Sequence, residues 1–327
     1  MTLKHVLAAG LVVVIIAVLV ALPLFVENES TINLAILVGL YVSLASSWNI
    51  LGGYTGQTSL GHAAFFGLGT LTTRLLWLSV GLPLPLSILA GGIVAVVFSL
   101  IIGVPAFKLR GAYFAIGTLA LGQVLYVIVG HQWPMITSLP AEQLATYDIT
   151  SRYYVFLALT LLTIGTAYVL VNSRFGLGMM AVREEEDAAE SLGVSALRHK
   201  LLALGASSFL AGLIGGAFAF YHVGYYPQLP FGPIWSFDTV TIVLIGGTGT
   251  IIGPIIGGVF FVLLRELLSL KLVEIHLTVF GILFVLVVLF LPGGVVEAWS
   301  KARDLFARQS REYESRSLPE EGGQSTA

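Results

Sequence analysis

The chain has 327 residues, of which 57% are hydrophobic and only 10% charged, and its mean hydropathy is +0.93. So little polar surface cannot cover a soluble globule of this length, and a formal net charge of -2 argues against a nucleic-acid partner. The absence of cysteine excludes disulfides, thiolate catalysis and cysteine-bound metals.

Apolar runs of membrane-spanning length recur along the chain, since a helix of about 20 residues crosses the hydrocarbon core of a bilayer. The first run follows Lys4, and its length and lack of a small-residue cleavage site favour a span over a signal peptide. The predicted spans are 6–26, 32–51, 59–80, 84–104, 112–130, 153–171, 201–221, a split pair at 237–245 and 251–268, and 275–291. We therefore expect an all-α integral membrane protein with a bundle of about 8–10 transmembrane helices.

The split pair depends on a glycine-rich run, in which Gly246, Gly247 and Gly249 have little helix preference and predict a broken helix. Asp238 is expected to cap the first half of the pair. Gly249, Gly253 and Gly257, each four residues apart, predict a small-residue stripe for helix contact.

Charged residues indicate how the chain is oriented in the membrane, and a few of them fall inside or at the edge of a predicted span. Arg74 falls inside a predicted span, so it should face the bundle interior or reach an interface. Arg265 and Glu266 are expected at a membrane interface. With ten crossings, twelve of the 16 lysines and arginines lie on one side, which predicts that both termini are cytoplasmic. We divide the chain into a transmembrane domain at 1–296 and a cytoplasmic tail at 297–327, disordered in part.

Residues 173–200, the charged loop, hold nine charged side chains of the chain's 34 between two apolar spans. A run at 179–192 predicts one short amphipathic helix that Gly193 ends, with acidic residues in its first half, where the helix dipole favours them. Val182, Ala189 and Leu192 would share a face for a partner. The alternative is a solvated loop helix with surface charges.

Residues 52–61, the polar loop, combine glycines with uncharged polar side chains between two spans. Such groups suit transient contact with a zwitterionic solute, but we favour close helix packing as the role of the small residues, and the two roles can coexist. His62 has no second histidine or carboxylate nearby in sequence, so we favour a hydrogen-bonded structural histidine over a proton relay or metal ligand. The candidate pathway residues are Tyr54, Thr55, Gln57, Thr58, Ser59 and His62.

Four sequence blocks resemble one transporter family. Asp187-Ala188-Ala189, three residues and then Gly193 resemble the EAA loop with which ABC importer permeases engage ATPases, with Asp in place of the family's Glu. The run GYTGQTSLGHAAFFG at 53–67 is similar to a signature of branched-chain amino acid (Liv-type) permeases of the M type, as are LRGAYFAI at 109–116 and GGTGT with Gly-Pro at 246–254. The likeness extends over about 32–296.

The resemblance implies partners and roles. It implies a second homologous permease, two cytoplasmic ATPase subunits, an extracytoplasmic solute-binding protein, an amino-acid substrate and a bacterial or archaeal cytoplasmic membrane around the chain. It implies a cytoplasmic coupling helix whose ATPase-contacting residues are Arg183, Glu184, Glu185, Glu186, Asp187, Ala188, Ala189 and Gly193. No cofactor or metal is expected on this chain: it has no Gly-Lys-Ser/Thr phosphate loop, so partner subunits would use the ATP and Mg²⁺ and the chain would not be an enzyme.

Two alternatives stay open for the function. The segment 131–152 departs from the Gly/Asn-rich external loop of the family, which leaves urea or a short amide as a second candidate solute. An ion-coupled secondary transporter would place ionisable residues inside its spans, where the sequence offers Arg74.

Overall fold

A computed structural model describes residues 3–271, 281–282 and 293–297. The predicted span 275–291, apart from Gly281 and Ile282, and the tail after residue 297 lie outside the described residues. The helices are α1 (Leu3–Phe25), α2 (Glu29–Gly52), α3 (His62–Leu75, extended by a π-helical turn Leu76–Val80), α4 (Leu84–Ala106), α5 (Ala112–Gln132), α6 (Ala141–Ala145), α7 (Ile149–Val171), α8 (Arg174–Glu184), α9 (Glu186–Ser191), α10 (Ala196–Tyr221), α11 (Pro233–Gly246) and α12 (Ile252–Lys271).

Within this described part, seven helices are long and apolar enough to cross a membrane: α2, α3 with its π-helical turn, α4, α5, α7, α10 and α12. Helix α11 is apolar but shorter, and α1 is apolar over its last sixteen residues, Gly10–Phe25. The expectation of an all-α membrane protein is confirmed. The third span was predicted to begin at residue 59, but α3 begins at His62, because residues 53–61 form a loop.

Helix α10 lies at the centre of the bundle, packed along α3 and α4. Its approach to α3 depends on glycine: a Cβ atom on Gly69 would lie 2.0 Å from the carbonyl oxygen of Gly212. Next to this contact the buried rings of Phe66 and Phe218 meet edge to face, with centroids 5.1 Å apart. Close backbone contact between helices is the packing mode that small residues permit in membranes.

One end of the bundle carries the charged loop and is called the loop end; the opposite end is the far end. At the far end, strands β1 (Thr137–Ser138) and β2 (Gly224–Tyr225) pair antiparallel. Arg74 donates to the carbonyl oxygens of Ala219 at 2.8 Å and Val223 at 2.9 Å, and its side chain is buried. The expectation that Arg74 faces the interior is confirmed, and it ties α3 to the end of α10.

The glycine-rich run at 246–250 lies between α11 and α12, which are antiparallel neighbours. A Cβ on Gly257 would lie 2.1 Å from the carbonyl oxygen of Ile242, and one on Gly246 would lie 1.8 Å from that of Gly253. The run therefore reverses the chain in a tight hairpin, whereas the sequence suggested an opening within one spanning helix. Gly253 and Gly257 form the predicted helix contact, but Gly249 lies in the turn with φ +70°.

The expectation that Asp238 caps α11 is wrong. The helix begins earlier, at Pro233, because proline suits the first helical position, where its missing N–H has no intrahelical partner. Gly232 takes the N-cap position. Asp238 therefore lies in the second turn, where its carboxylate accepts a hydrogen bond from Tyr41 on α2 at 3.2 Å.

Candidate functional site

The polar loop begins where α2 ends and folds back over the last turns of that helix. Trp48 donates from its indole N–H to the carbonyl oxygen of Ser59 at 2.7 Å, and Thr55 donates to the carbonyl oxygen of Leu51 at 2.5 Å. Gly56 has φ +70°, a conformation that favours glycine and lets the chain turn. These contacts hold the loop between α2 and the start of α3.

The six candidate pathway residues are not equally accessible. Tyr54, Thr55, Ser59 and His62 are buried, whereas Gln57 is half-buried and Thr58 is exposed. A cavity next to Ser59 measures about 10 Å³, room for one water molecule and far too small for an amino acid. In this conformation, therefore, Gln57 and Thr58 are the candidates that a solute could reach.

His62 lies at the first position of α3, deep between helices. Its Nε2 is 2.9 Å from the hydroxyl of Ser47, and Ser207 of α10 donates to the carbonyl oxygen of Ser47 at 2.7 Å. Thr118 of α5 donates from its hydroxyl to Ala115 and accepts from the backbone N–H of Leu60 at 3.0 Å. The contact of His62 with Ser47 joins α3 to α2 through one hydrogen bond, and this supports a structural role for His62.

The charged loop folds as two helices, α8 and α9, and the prediction of one helix over 179–192 is wrong. Ser173 caps α8 by accepting from the N–H of Gly176 at 3.3 Å, so the helix begins five residues earlier than predicted. Glu185 adopts an extended conformation with φ −157° and ψ 111°, which separates the two helices. Lys200 then binds Glu186 at 2.6 Å and ties α9 to the start of α10.

The face that the sequence assigned to a partner is mostly occupied. Val182 and Ala189 are buried against Ala196 in a small core of the charged loop itself. Leu192, in contrast, is 86% exposed. Gly193 follows it with φ +84°, a conformation strained for other residues, and places Leu192 at the tip of the turn.

Several of the residues predicted to contact an ATPase are exposed at the junction of α8 and α9. Glu184, Glu185 and Asp187 are exposed, and so is Ala188. Asp187 pairs with Arg110 at 3.5 Å, and both side chains are about 70% exposed, so water screens the pair and it adds little stability.

Arg183 connects the charged loop to the polar loop. Its guanidinium donates to the carbonyl oxygen of Gly53 at 2.7 Å. The stem of the side chain runs past Gly56, where a Cβ would lie 3.2 Å away, and a Cβ on Gly249 would lie 2.3 Å from the guanidinium. Arg183 therefore contacts the polar loop and the α11–α12 turn at the same point.

Asn49 completes this junction from the last turn of α2. Its side-chain oxygen accepts from the N–H of Gly249 at 2.9 Å, and its amide donates to the carbonyl oxygen of Thr250 at 2.9 Å. The end of α2, the hairpin turn and the charged loop are thus joined by hydrogen bonds to backbone groups. Sequence reasoning missed Asn49, since nothing near it in sequence indicates a contact with residues 200 positions later.

Sequence reasoning also missed an ion pair between the helices. Arg265 of α12 lies 3.4 Å from the carboxylate of Asp238 on α11 and donates to the hydroxyl of Tyr41 at 2.8 Å. The available signal was the presence of two ionisable residues of opposite charge within apolar segments.

Comparison with known proteins places the chain. A family model described as the branched-chain amino acid transport system / permease component matches residues 30–288. The chain belongs to this family. No solved structure matches it.

Several curated transport permeases are similar to the chain. A high-affinity branched-chain amino acid permease, LivM of Escherichia coli K12, is 28% identical over 316 residues, covering 87% of this chain and 74% of LivM. The probable LivM of Methanocaldococcus jannaschii is 24% identical, covering 79% and 90%. An autoinducer 2 import permease, LsrC of Yersinia pseudotuberculosis, is 28% identical over about half of each chain.

Proposed function

We propose that the chain is the permease subunit of an ABC importer for branched-chain amino acids, in the cytoplasmic membrane of a bacterium or archaeon. Membership of the permease family supports the transport role. The names of the LivM relatives, whose likeness covers most of both chains, support the cargo. ATP is hydrolysed by two separate subunits, a second homologous permease completes the pathway, and an extracytoplasmic protein delivers the solute.

The loop end faces the cytoplasm, and both termini lie on that side. The excess of lysine and arginine in the loops of that end supports this orientation. The ATPases bind the charged loop, where the acidic residues and Leu192 are exposed. The far end, with Arg74 and the β1–β2 pair, faces the solute-binding protein.

The observation that carries the coupling proposal is the hydrogen bond from Arg183 to Gly53. A displacement of α8 by an ATPase acts through a 2.7 Å charge-assisted bond directly on the polar loop, which contains the accessible candidates Gln57 and Thr58. ATP and solute then each favour one of two arrangements of the same connected elements, and this is what reciprocal coupling requires.

The test is transport by the reconstituted importer in vesicles, with the sister permease, the ATPases and the solute-binding protein. We expect ATP-dependent uptake of L-leucine, competed by L-isoleucine and L-valine. Uptake of urea with no uptake of leucine would refute branched-chain amino acids as the solute and assign urea instead. Uptake by this chain alone, driven by an ion gradient without ATP, would refute the ABC importer role.

A further inference from the structure

The pair Asp238 and Arg265 lies beside Tyr41, between α2, α11 and α12. Tyr41 is near the middle of α2, roughly 17 Å from either end of that helix at 1.5 Å per residue, whereas Arg265 is roughly 9 Å from the far end of α12. The hydroxyl of Tyr41 is 3.2 Å from a carboxylate oxygen of Asp238 and 2.8 Å from a guanidinium nitrogen of Arg265. Three apolar helices thus bring one carboxylate, one guanidinium and one hydroxyl together.

Arg265 lies on the inward face of α12, and its side chain is nevertheless partly exposed. It follows the buried Phe261 by one helical turn, while the large exposed apolar residues of α12 lie on the other face. Its side chain is nevertheless 46% exposed, against 14% for Asp238. The exposed part of the Arg265 side chain therefore lies on the side of α12 that packs against α2 and α11, and not on its apolar outer face.

The pair leaves hydrogen-bonding capacity unused. Both Tyr41 and Arg265 contact the same carboxylate oxygen, Oδ2 of Asp238, and Arg265 uses only Nη1. Among the residues that the structure describes, Oδ1 of Asp238 and both Nε and Nη2 of Arg265 have no hydrogen-bond partner. Charged groups within apolar helices are costly when their donors and acceptors have no polar partner.

An aromatic wall stands next to these charges. The rings of Tyr41 and Trp235 are stacked with centroids 5.8 Å apart, and Trp235 is only half-buried. The site thus offers a cation, an anion and an apolar surface within one group of contacts. These are the three features that recognise an amino acid with an apolar side chain, because its carboxylate, its ammonium and its hydrocarbon each find a partner.

We propose that Asp238 and Arg265 form a binding site for the zwitterionic amino acid on its way through the membrane. The substrate carboxylate binds Nε and Nη2 of Arg265, its ammonium binds Oδ1 of Asp238, and its side chain lies against Trp235. The modest 3.4 Å ion pair keeps each charge compensated when no substrate is bound. This proposal rests on the proposed function and names where that function selects its cargo.

The test measures binding of radiolabelled L-leucine, L-glutamate and L-lysine to the complex of both permeases and both ATPases in nanodiscs, without ATP and without the solute-binding protein. Bound amino acid is displaced with the matching analogue that lacks the carboxylate, such as leucinol, or lacks the ammonium, such as 4-methylpentanoate. Wild type should prefer leucine over either analogue by roughly tenfold or more, the contribution of one charge-assisted contact. Arg265→Gln should lose the preference for leucine over leucinol and keep the preference over 4-methylpentanoate. Asp238→Asn should lose the preference for leucine over 4-methylpentanoate and keep the preference over leucinol. The matched control is Glu266→Gln, which removes an exposed charge from the neighbouring position and should keep both preferences.

Three results would overturn the binding site. If both variants keep both preferences for leucine, Asp238 and Arg265 do not bind the substrate, even if ATP-driven leucine uptake continues. Loss of the sister permease from the purified variants would assign the pair to the subunit interface. Wild-type complex that transports leucine with its binding protein yet binds no amino acid directly would also exclude the site. In contrast, wild-type complex that neither binds nor transports any of the three amino acids would refute the proposed function itself.

Discussion

Replacing Arg183 by alanine should uncouple ATP hydrolysis from transport. The change removes a charge-assisted hydrogen bond of 2.7 Å and leaves the carbonyl oxygen of Gly53, a buried residue, without that donor. Such a bond contributes about 1.5–3 kcal/mol, which corresponds to roughly a 10- to 100-fold change in an equilibrium constant. If the bond transmits movement of the charged loop, this energy is lost from the coupling between ATP and solute, so fewer solutes are imported for each ATP.

The assay compares leucine uptake and ATP hydrolysis by reconstituted complexes in the same vesicles. We expect Arg183→Ala to keep most ATPase activity while uptake falls by roughly 10-fold or more. Arg198→Ala is the matched control, because Arg198 is an exposed cation of the same loop that makes no hydrogen bond or ion pair with described residues. Arg183→Lys, which keeps the charge but loses the planar fork, should fall between the two. Unaltered uptake per ATP in Arg183→Ala would refute the transmission role.

Three further predictions concern other parts of the fold. Leu192→Asp places a charge on a side chain that is 86% exposed, so the ATPases should co-purify in lower amount while the permease remains folded. Undiminished recovery of the ATPases would argue against docking at Leu192. Gly257→Ala sets a Cβ 2.1 Å from the carbonyl oxygen of Ile242 and should lower the free energy of unfolding by about 1–3 kcal/mol. Gly165→Ala is the control, because its Cβ meets nothing within 4 Å, and equal thermal midpoints for the two variants would contradict the hairpin packing. Gln57→Leu removes a half-buried polar group of the polar loop, so uptake should decrease with assembly intact, and unaltered uptake kinetics would leave only a packing role for this loop.

Most of the helical architecture follows from the sequence because hydrocarbon length and backbone hydrogen bonding leave few alternatives to helices of this size. The predicted ends of the spans agree with the described helices to within a few residues at 84–106, 112–132 and 149–171. They fail where polar side chains interrupt the apolar pattern. The polar loop delays α3 until His62, and Pro233 starts α11 earlier than the apolar run.

The candidate site was less predictable because its contacts join distant parts of the chain. Local composition located the charged loop, but not the extended residue Glu185 that divides it into two helices. The amphipathic pattern of Val182 and Ala189 is real, yet these side chains pack within the loop and are not free for a partner. The contact of Arg183 with Gly53 spans 130 positions, and only the folded chain reveals it.

The central claim is that the charged loop and the polar loop move together when ATP binds. Because the chain has no native cysteine, spin labels can be attached to single introduced cysteines. Three exposed positions suit this purpose: Thr58 in the polar loop, Leu177 in the charged loop and Met135 at the far end. In the complete complex, we expect ATP to leave the 58–177 distance unchanged while the 58–135 distance shifts. A change in the 58–177 distance with a constant 58–135 distance would show that the charged loop moves without the polar loop, and would contradict the account.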